Sequence, residues 1–153
     1  MNRCECPIEE SLGCVTNHSA MAARNYLTRQ LAIHGIDMTI EQFKVMVVLW
    51  KEGSCTQQNI ADFVGKDKTS VTRLIAGLEK RSLIQRATGC QDKRCNHVTL
   101  TPQGVALEKP TMEVLAEATC YIHQGIDPQE LAITLRVLKQ MCLTLNYTSK
   151  ESE

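Results

Sequence analysis

Three residues at fixed intervals constrain this chain more than any other feature: Ala61, Gly65 and Val71, counted from Gln57 as the first position of a two-helix unit. The small side chain of Ala61 lets two helix axes cross closely. Gly65 supplies the left-handed backbone that a tight inter-helix turn needs, and Val71 fills the gap beneath the second helix. Asp67 stands where it can cap that second helix. The spacing predicts a helix-turn-helix, set in a stretch from Thr56 to Thr101 that changes hydrophobic period twice.

Within the second helix, Val71, Leu74, Ile75 and Leu78 recur at i, i+3, i+4 and i+7, which turns Lys68, Thr69, Thr72, Arg73 and Lys80 away from the buried stripe. Such an outward face suits nucleic acid. Hydroxyls meet bases or phosphates, a guanidinium forks onto guanine, and the helix N-terminus adds partial positive charge toward phosphate. A solvated helix face has the same composition, so this helix alone leaves both readings open.

The next segment favours the first reading. Leu83-Ile84-Gln85-Arg86 and His97-Val98-Thr99-Leu100 read as two short strands flanking a polar loop from Ala87 to Asn96, which is the pattern of a β-hairpin wing. Eight basic residues (Lys66, Lys68, Arg73, Lys80, Arg81, Arg86, Lys93 and Arg94) stand against Asp67, Glu79 and Asp92 in this window, a local balance of +5. The chain as a whole has 17 basic and 17 acidic side chains, so the remainder carries −5. Overall neutrality thus hides a polarised molecule that draws a polyanion to one end, with strongly salt-dependent binding.

The wing sequence Asp92-Lys93-Arg94 followed by Leu100-Thr101, together with Lys68-Thr69-Ser70-Val71-Thr72-Arg73-Leu74, Leu78-Glu79-Lys80-Arg81 and Pro102-Gln103-Gly104, resembles the MarR (multiple antibiotic resistance) family of transcriptional regulators. The resemblance implies a winged helix-turn-helix in which Arg94 enters the minor groove from the wing tip. It also implies that Asp92 orients the wing by pairing with an arginine, best matched by Arg73. A guanidinium suits the electronegative narrow minor groove, and a carboxylate two residues away alternates to the other face of the loop. The candidate DNA-binding residues are therefore Lys66, Lys68, Thr69, Ser70, Thr72, Arg73, Lys80, Lys93 and Arg94. Ser82 departs from the family, many of whose members place glycine at this helix terminus, and serine is the poorer left-handed cap.

A length of 153 residues suggests one domain, and 43% hydrophobic content is adequate for a core even with one Trp, three Tyr and two Phe. No apolar run is long enough to span a membrane and the opening lacks a signal-peptide core, so a cytoplasmic location is expected. Residues 8–34 carry a helical pattern, with Leu12, Val15, Ala22, Ala23, Tyr26, Leu27 and Leu31 as a discontinuous stripe. Thr39 and Gln42 have the spacing of a capping box, after which Phe43, Met46, Val47 and Trp50 recur on one face. Thr56 caps the next, short helix. Pro110 lies inside the pattern of Leu107, Val114, Leu115, Ala118 and Ile122, so a kink or break is expected there. Asp127, Pro128 and Glu130 combine an N-cap, an N1 proline and an N3 glutamate ahead of Leu131, Leu135, Leu138, Cys142 and Leu145. The expected class is mainly α with a small β-hairpin wing: a DNA-binding lobe at 39–101, flanked by dimerisation helices at 8–34 and 102–147. A winged helix needs neither flank, so their apolar stripes predict a two-fold homodimer whose paired recognition helices meet successive major grooves of a pseudo-palindrome.

Eight cysteines are many for a chain expected in reducing cytosol, where structural bridges are disfavoured. Cys120 and Cys142 fit the apolar stripes as small core residues. Cys90 and Cys95 bracket the wing tip, so an oxidant joining them would distort the loop, and Lys93 and Arg94 favour a reactive thiolate. Cys14 is a further redox candidate, because some MarR members sense oxidants through a cysteine near the start of the first helix. Cys4, Cys6, Cys14 and His18 are compatible with zinc, but Cys-x-Cys is a weaker signal than paired knuckles, and no metal or cofactor is expected. The resemblance also implies a small, often aromatic, ligand between the lobes, for which Tyr26, His34 and Trp50 are candidate lining residues. No phosphate-binding glycine loop, nucleophile elbow or H-E-x-x-H is present, so the expectation is a non-enzymatic regulator, a repressor released by a small molecule or an oxidant. The alternative is a winged helix serving as a protein-interaction module without specific DNA binding.

Overall fold

The hydroxyl of Thr39 accepts the Gln42 amide at 3.1 Å, and the Gln42 side chain accepts the Thr39 amide at 3.1 Å, completing the capping box that starts the central helix at Ile40. The computed structural model describes residues 7–86 and 97–145. A 3-10 turn at Ile8–Glu10 leads to α1 (Leu12–Ile33), α2 (Ile40–Glu52), β1 (Ser54–Thr56), α3 (Gln57–Val64), α4 (Lys68–Lys80), β2 (Ile84–Arg86), β3 (His97–Leu100), α5 (Pro102–Ala106), α6 (Glu108–Ile122) and α7 (Pro128–Thr144).

Helix α2 is the hub. Its stripe extends beyond the expected one to include Val45, Val48 and Leu49, because α3, α4, β1 and β3 all pack around it. Val45, Met46 and Leu49 are fully buried there with Leu31, Ile60, Val71, Ile75 and Leu78. Full burial of one such side chain contributes roughly 1.5–3 kcal/mol, so this cluster dominates the stability of the lobe. The half-buried Trp50 donates its indole N–H to the Gly104 carbonyl at 2.9 Å and meets Phe43 edge-on at 6.3 Å.

The two predicted strands form at 84–86 and 97–100, and they gain a third partner. The sheet order is β1-β3-β2, antiparallel throughout, with Cys55 opposite Val98 and Gln85 opposite Thr99. Leu83 falls outside β2 and turns into the core, its amide donating back to the Leu78 carbonyl at 3.1 Å. β1 is a three-residue segment with no readable alternation, and its buried Cys55 is the side chain that ties it to the core.

Helix α1 starts at Leu12, later than the pattern from Ile8, because Ser11 accepts the Cys14 amide at 3.3 Å as N-cap. The expected break near Pro110 falls at Leu107, between α5 and α6. Proline offers no N–H to the carbonyl four residues earlier and its ring crowds that carbonyl, so the chain restarts with Pro110 in the first turn of α6, where the missing donor costs nothing. Tyr26 of α1 stacks on Tyr121 of α6 with ring centroids 4.9 Å apart.

Asp127 caps α7 as expected, accepting the Gln129 and Glu130 amides at 2.8 and 3.2 Å. The helix it starts buries no residue. The expectation that Cys120 and Cys142 are core residues is corrected accordingly: Cys120 is exposed and Cys142 half-buried, since the described residues leave these helix faces largely uncovered. None of the described helices is long and apolar enough to cross a membrane.

Candidate nucleic-acid interface

Gly65 ends α3 in the left-handed conformation, with φ 66° and ψ 37°, and its amide donates to the Ala61 carbonyl at 3.0 Å. A side chain at this φ is disfavoured, so the glycine fixes the angle at which α4 leaves α3. Ala61 is buried at the crossing and Val71 beneath α4, as the spacing predicted. Asp67 then caps α4, with Oδ1 accepting the Ser70 amide at 2.9 Å and Oδ2 the Ser70 hydroxyl at 2.6 Å. The Ser70 hydroxyl and amide hold the Asp67 carboxyl below its ordinary range, although the group is open to solvent.

Lys66, Lys68, Thr69 and Arg73 are brought together, all exposed, around the first two turns of α4. Ser70 and Thr72 are half-buried, and each commits its hydroxyl proton: Ser70 to Asp67, and Thr72 to the Lys68 carbonyl at 2.8 Å. They keep only acceptor capacity for a base or a donor. Lys80 closes the far end of the helix, about 18 Å from Lys68 at 1.5 Å per residue, too far to share a base pair with it.

Ion pairing sorts the basic residues further. Arg86 meets Glu79 at 3.5 Å and Arg81 meets Asp37 at 3.2 Å, so both cations are partly neutralised within the fold. Lys66, Lys68, Arg73 and Lys80 pair with no carboxylate among the described residues. The remaining candidates, Asp92, Lys93, Arg94, Cys90 and Cys95, lie outside the described residues, as does the expected Asp92–Arg73 pairing.

The C-terminal end of α4 passes through Ser82, whose φ of 56° is the left-handed geometry normally given to glycine. The serine thus holds a left-handed backbone at the cost of strain. Thr101 compensates by donating its hydroxyl to the Ser82 carbonyl at 2.6 Å. Neither this contact nor the Arg81–Asp37 pair was foreseen from the sequence, because the partners stand 19 and 44 residues apart with no periodic signal connecting them.

The proposed ligand-lining residues are not gathered. Tyr26 is engaged with Tyr121, Trp50 with Gly104, and His34 contacts the Gln30 carbonyl of its own helix at 2.9 Å. Two surface crevices, of about 240 and 150 Å³, involve none of the three. Cys14 Sγ lies 4.0 Å from His18 Nδ1, and no group of three His, Cys, Asp or Glu side chains suited to a metal occurs among the described residues.

A two-helix unit with a cationic second helix, backed by a three-stranded antiparallel sheet, defines a winged helix-turn-helix protein. Residues 38–96 match the model of the MarR family. It is 27% identical over 127 residues to an uncharacterized HTH-type transcriptional regulator of Bacillus cereus, covering 82% of this chain and 80% of the relative. A probable transcriptional regulator from Pseudomonas aeruginosa shares the fold with a TM-score of 0.79 and 21% identity, over 88% of this chain and 99% of that one. So does Bordetella bronchiseptica BpsR, with a TM-score of 0.78 and 23% identity, over 89% and 96% of the two chains; its DNA binding is regulated by 6-hydroxynicotinic acid.

Proposed function

We propose that this chain is a sequence-specific DNA-binding transcriptional repressor that acts as a homodimer on a pseudo-palindromic operator. The observation that carries the reading is the exposed cluster of Lys66, Lys68 and Arg73 at the capped N-terminal end of α4, none of them ion-paired among the described residues. Lys66 and Lys68 at a helix N-terminus are suited to a phosphate backbone, and Arg73 one turn further in is suited to a base edge. Residues 39–101 form the reading lobe in this proposal, with Lys93 as a further DNA contact, Arg94 extending the lobe into the minor groove and Asp92 orienting the wing. Residues 8–34 and 102–147 form the dimerisation helices. The uncovered apolar side chains of α6 and α7, among them Ile122, Ile133, Leu135 and Val137, support the assembly.

Release by a small aromatic ligand or by an oxidant acting at Cys14, Cys90 or Cys95 completes the proposal. The regulation of BpsR by 6-hydroxynicotinic acid supports the ligand arm. Whatever the signal, it must favour one spacing of the two reading lobes over another.

Fluorescence anisotropy on duplex DNA from upstream of the protein's own gene tests the reading. The expected result is binding that weakens steeply with salt, with Arg73→Ala and Arg94→Ala each losing affinity and Lys68→Ala lowering the salt slope by about 1. Equal affinity in all four proteins, or none in any, would move the assignment to the protein-interaction module. Repeating the titration after diamide separates the oxidant arm from the ligand arm.

A further inference from the structure

Arg81 belongs to the basic stretch by sequence, yet its guanidinium is turned away from the exposed face of α4 and back onto the corner between α1 and α2. Its Nη2 lies 3.2 Å from Asp37 Oδ2 and its Nη1 donates to Gln42 Oε1 at 3.3 Å. That same Gln42 oxygen accepts the Thr39 amide at 3.1 Å, so the capping box of α2 and the end of the recognition helix share one acceptor. Directly opposite the Gln42 amide is Gly77, in the last turn of α4, where an added Cβ would stand 2.9 Å from Gln42 Nε2. Glycine is an unfavourable choice in a helix interior, and here it makes room for one particular side chain of another helix.

We propose that Asp37, Gln42, Gly77 and Arg81 form a clasp that sets the tilt of the recognition helix relative to the α1–α2 corner, making Gln42 and Arg81 positioning residues for DNA recognition. This rests on the DNA-binding reading above. Helix α4 packs on α3 and α2, and the clasp adds a tie from its C-terminal end to the corner where α1 gives way to α2, so in the proposed dimer it bears on how far apart the two recognition helices stand. None of its members needs to touch DNA. Long cations are commonly read as phosphate contacts, but a guanidinium held by a carboxylate and a carbonyl oxygen has its fork already occupied.

Two variants separate this role from ordinary electrostatics and from ordinary stability. Asp37→Asn removes a negative charge, which by itself strengthens attraction for a polyanion; the clasp predicts the opposite sign, an affinity roughly two- to fivefold weaker, as befits one solvent-screened pair. Gly77→Ala adds a good helix former against the movable end of Gln42, so the melting temperature should hold or rise while operator affinity falls about tenfold or more. In both, the slope of affinity against salt should stay at the unaltered value, because no phosphate contact is lost. Unaltered chain, Asp37→Asn and Gly77→Ala would be titrated on the same upstream duplex at three salt concentrations, with melting followed in parallel. Tighter binding by Asp37→Asn, or undiminished binding by Gly77→Ala, overturns the clasp alone. Absence of binding by the unaltered chain sinks the DNA reading itself, and the clasp's role with it.

Discussion

Thr101 donates its hydroxyl to the Ser82 carbonyl at 2.6 Å, joining the strained end of the recognition helix to the start of the first helix beyond the wing. The same hydroxyl accepts the Gly104 amide at 3.0 Å as the N-cap of α5, so one side chain serves both ends of the junction.

Gly104→Ala should therefore be among the most damaging single substitutions in the lobe. A Cβ at this position would collide with the Leu83 carbonyl oxygen, a backbone atom that cannot swing aside. Overpacking of this kind costs about 1–3 kcal/mol, and the upper end is expected here because backbone must move. A urea-denaturation midpoint indistinguishable from that of the unaltered protein would show that the junction is softer than described.

Asp67 gives an acid-side prediction. Its carboxyl is held below the ordinary range by the Ser70 hydroxyl and amide, so the folded state binds its proton less readily than the unfolded chain does. That contribution is present above the ordinary carboxylate value and is lost as pH falls through the lowered one. Asp67→Asn keeps a capping oxygen but cannot titrate, and its unfolding midpoint should drop less between pH 6 and the acid range (~pH 3) than that of the unaltered chain. Parallel curves in both proteins would show that the carboxylate has no such role.

Cys55 should behave as an inert thiol. Burial first, and the nearby Glu52 carboxylate second, push its pKa up, which suppresses the thiolate. Native-state iodoacetamide at neutral pH is expected to leave Cys55 unlabelled while modifying the exposed Cys120, with Cys55 reacting only on unfolding. The linked stability is complete below the ordinary thiol range and is lost as pH rises through the raised value. Rapid native labelling of Cys55, read by peptide mass spectrometry, would contradict its burial.

Leu135→Lys tests the proposed assembly. The side chain is 48% exposed on a helix that buries no residue of its own, so within one chain the substitution should be nearly neutral. In a dimer it places a charge in an apolar interface, and sedimentation at micromolar concentration should shift to the monomer with loss of operator affinity. A dimer with unaltered sedimentation would place the interface elsewhere.

Much of the reading lobe was legible because its signals are local and each has a steric cause: Gly65 for a left-handed turn, Asp67 and Thr39 for helix caps, and Val71 through Leu78 for a buried stripe. What escaped was set by contacts distant in sequence. β1 is three residues whose strand character comes from pairing with β3 more than 40 positions later. The clasp joins residues 37 and 42 to residue 81, and no periodicity marks Arg81 as a strut instead of a phosphate contact. Cys120 and Cys142 lie on apolar helical patterns that the described residues leave largely uncovered, and a pattern alone does not say whether its face is buried.

Trp50 is the sole tryptophan in 153 residues, and its indole is bonded to Gly104 at the point where the reading lobe meets the helices that follow it. The emission of this chain is consequently a gauge of one contact, that of α5 with α2. A change in the seating of α5 on α2 alters the polarity and hydrogen bonding felt by the indole and shifts its spectrum. Movements confined to the end of α7 leave its spectrum unchanged. Any effector that resets the lobes can thus be followed by intrinsic fluorescence, without a label and without DNA in the cuvette.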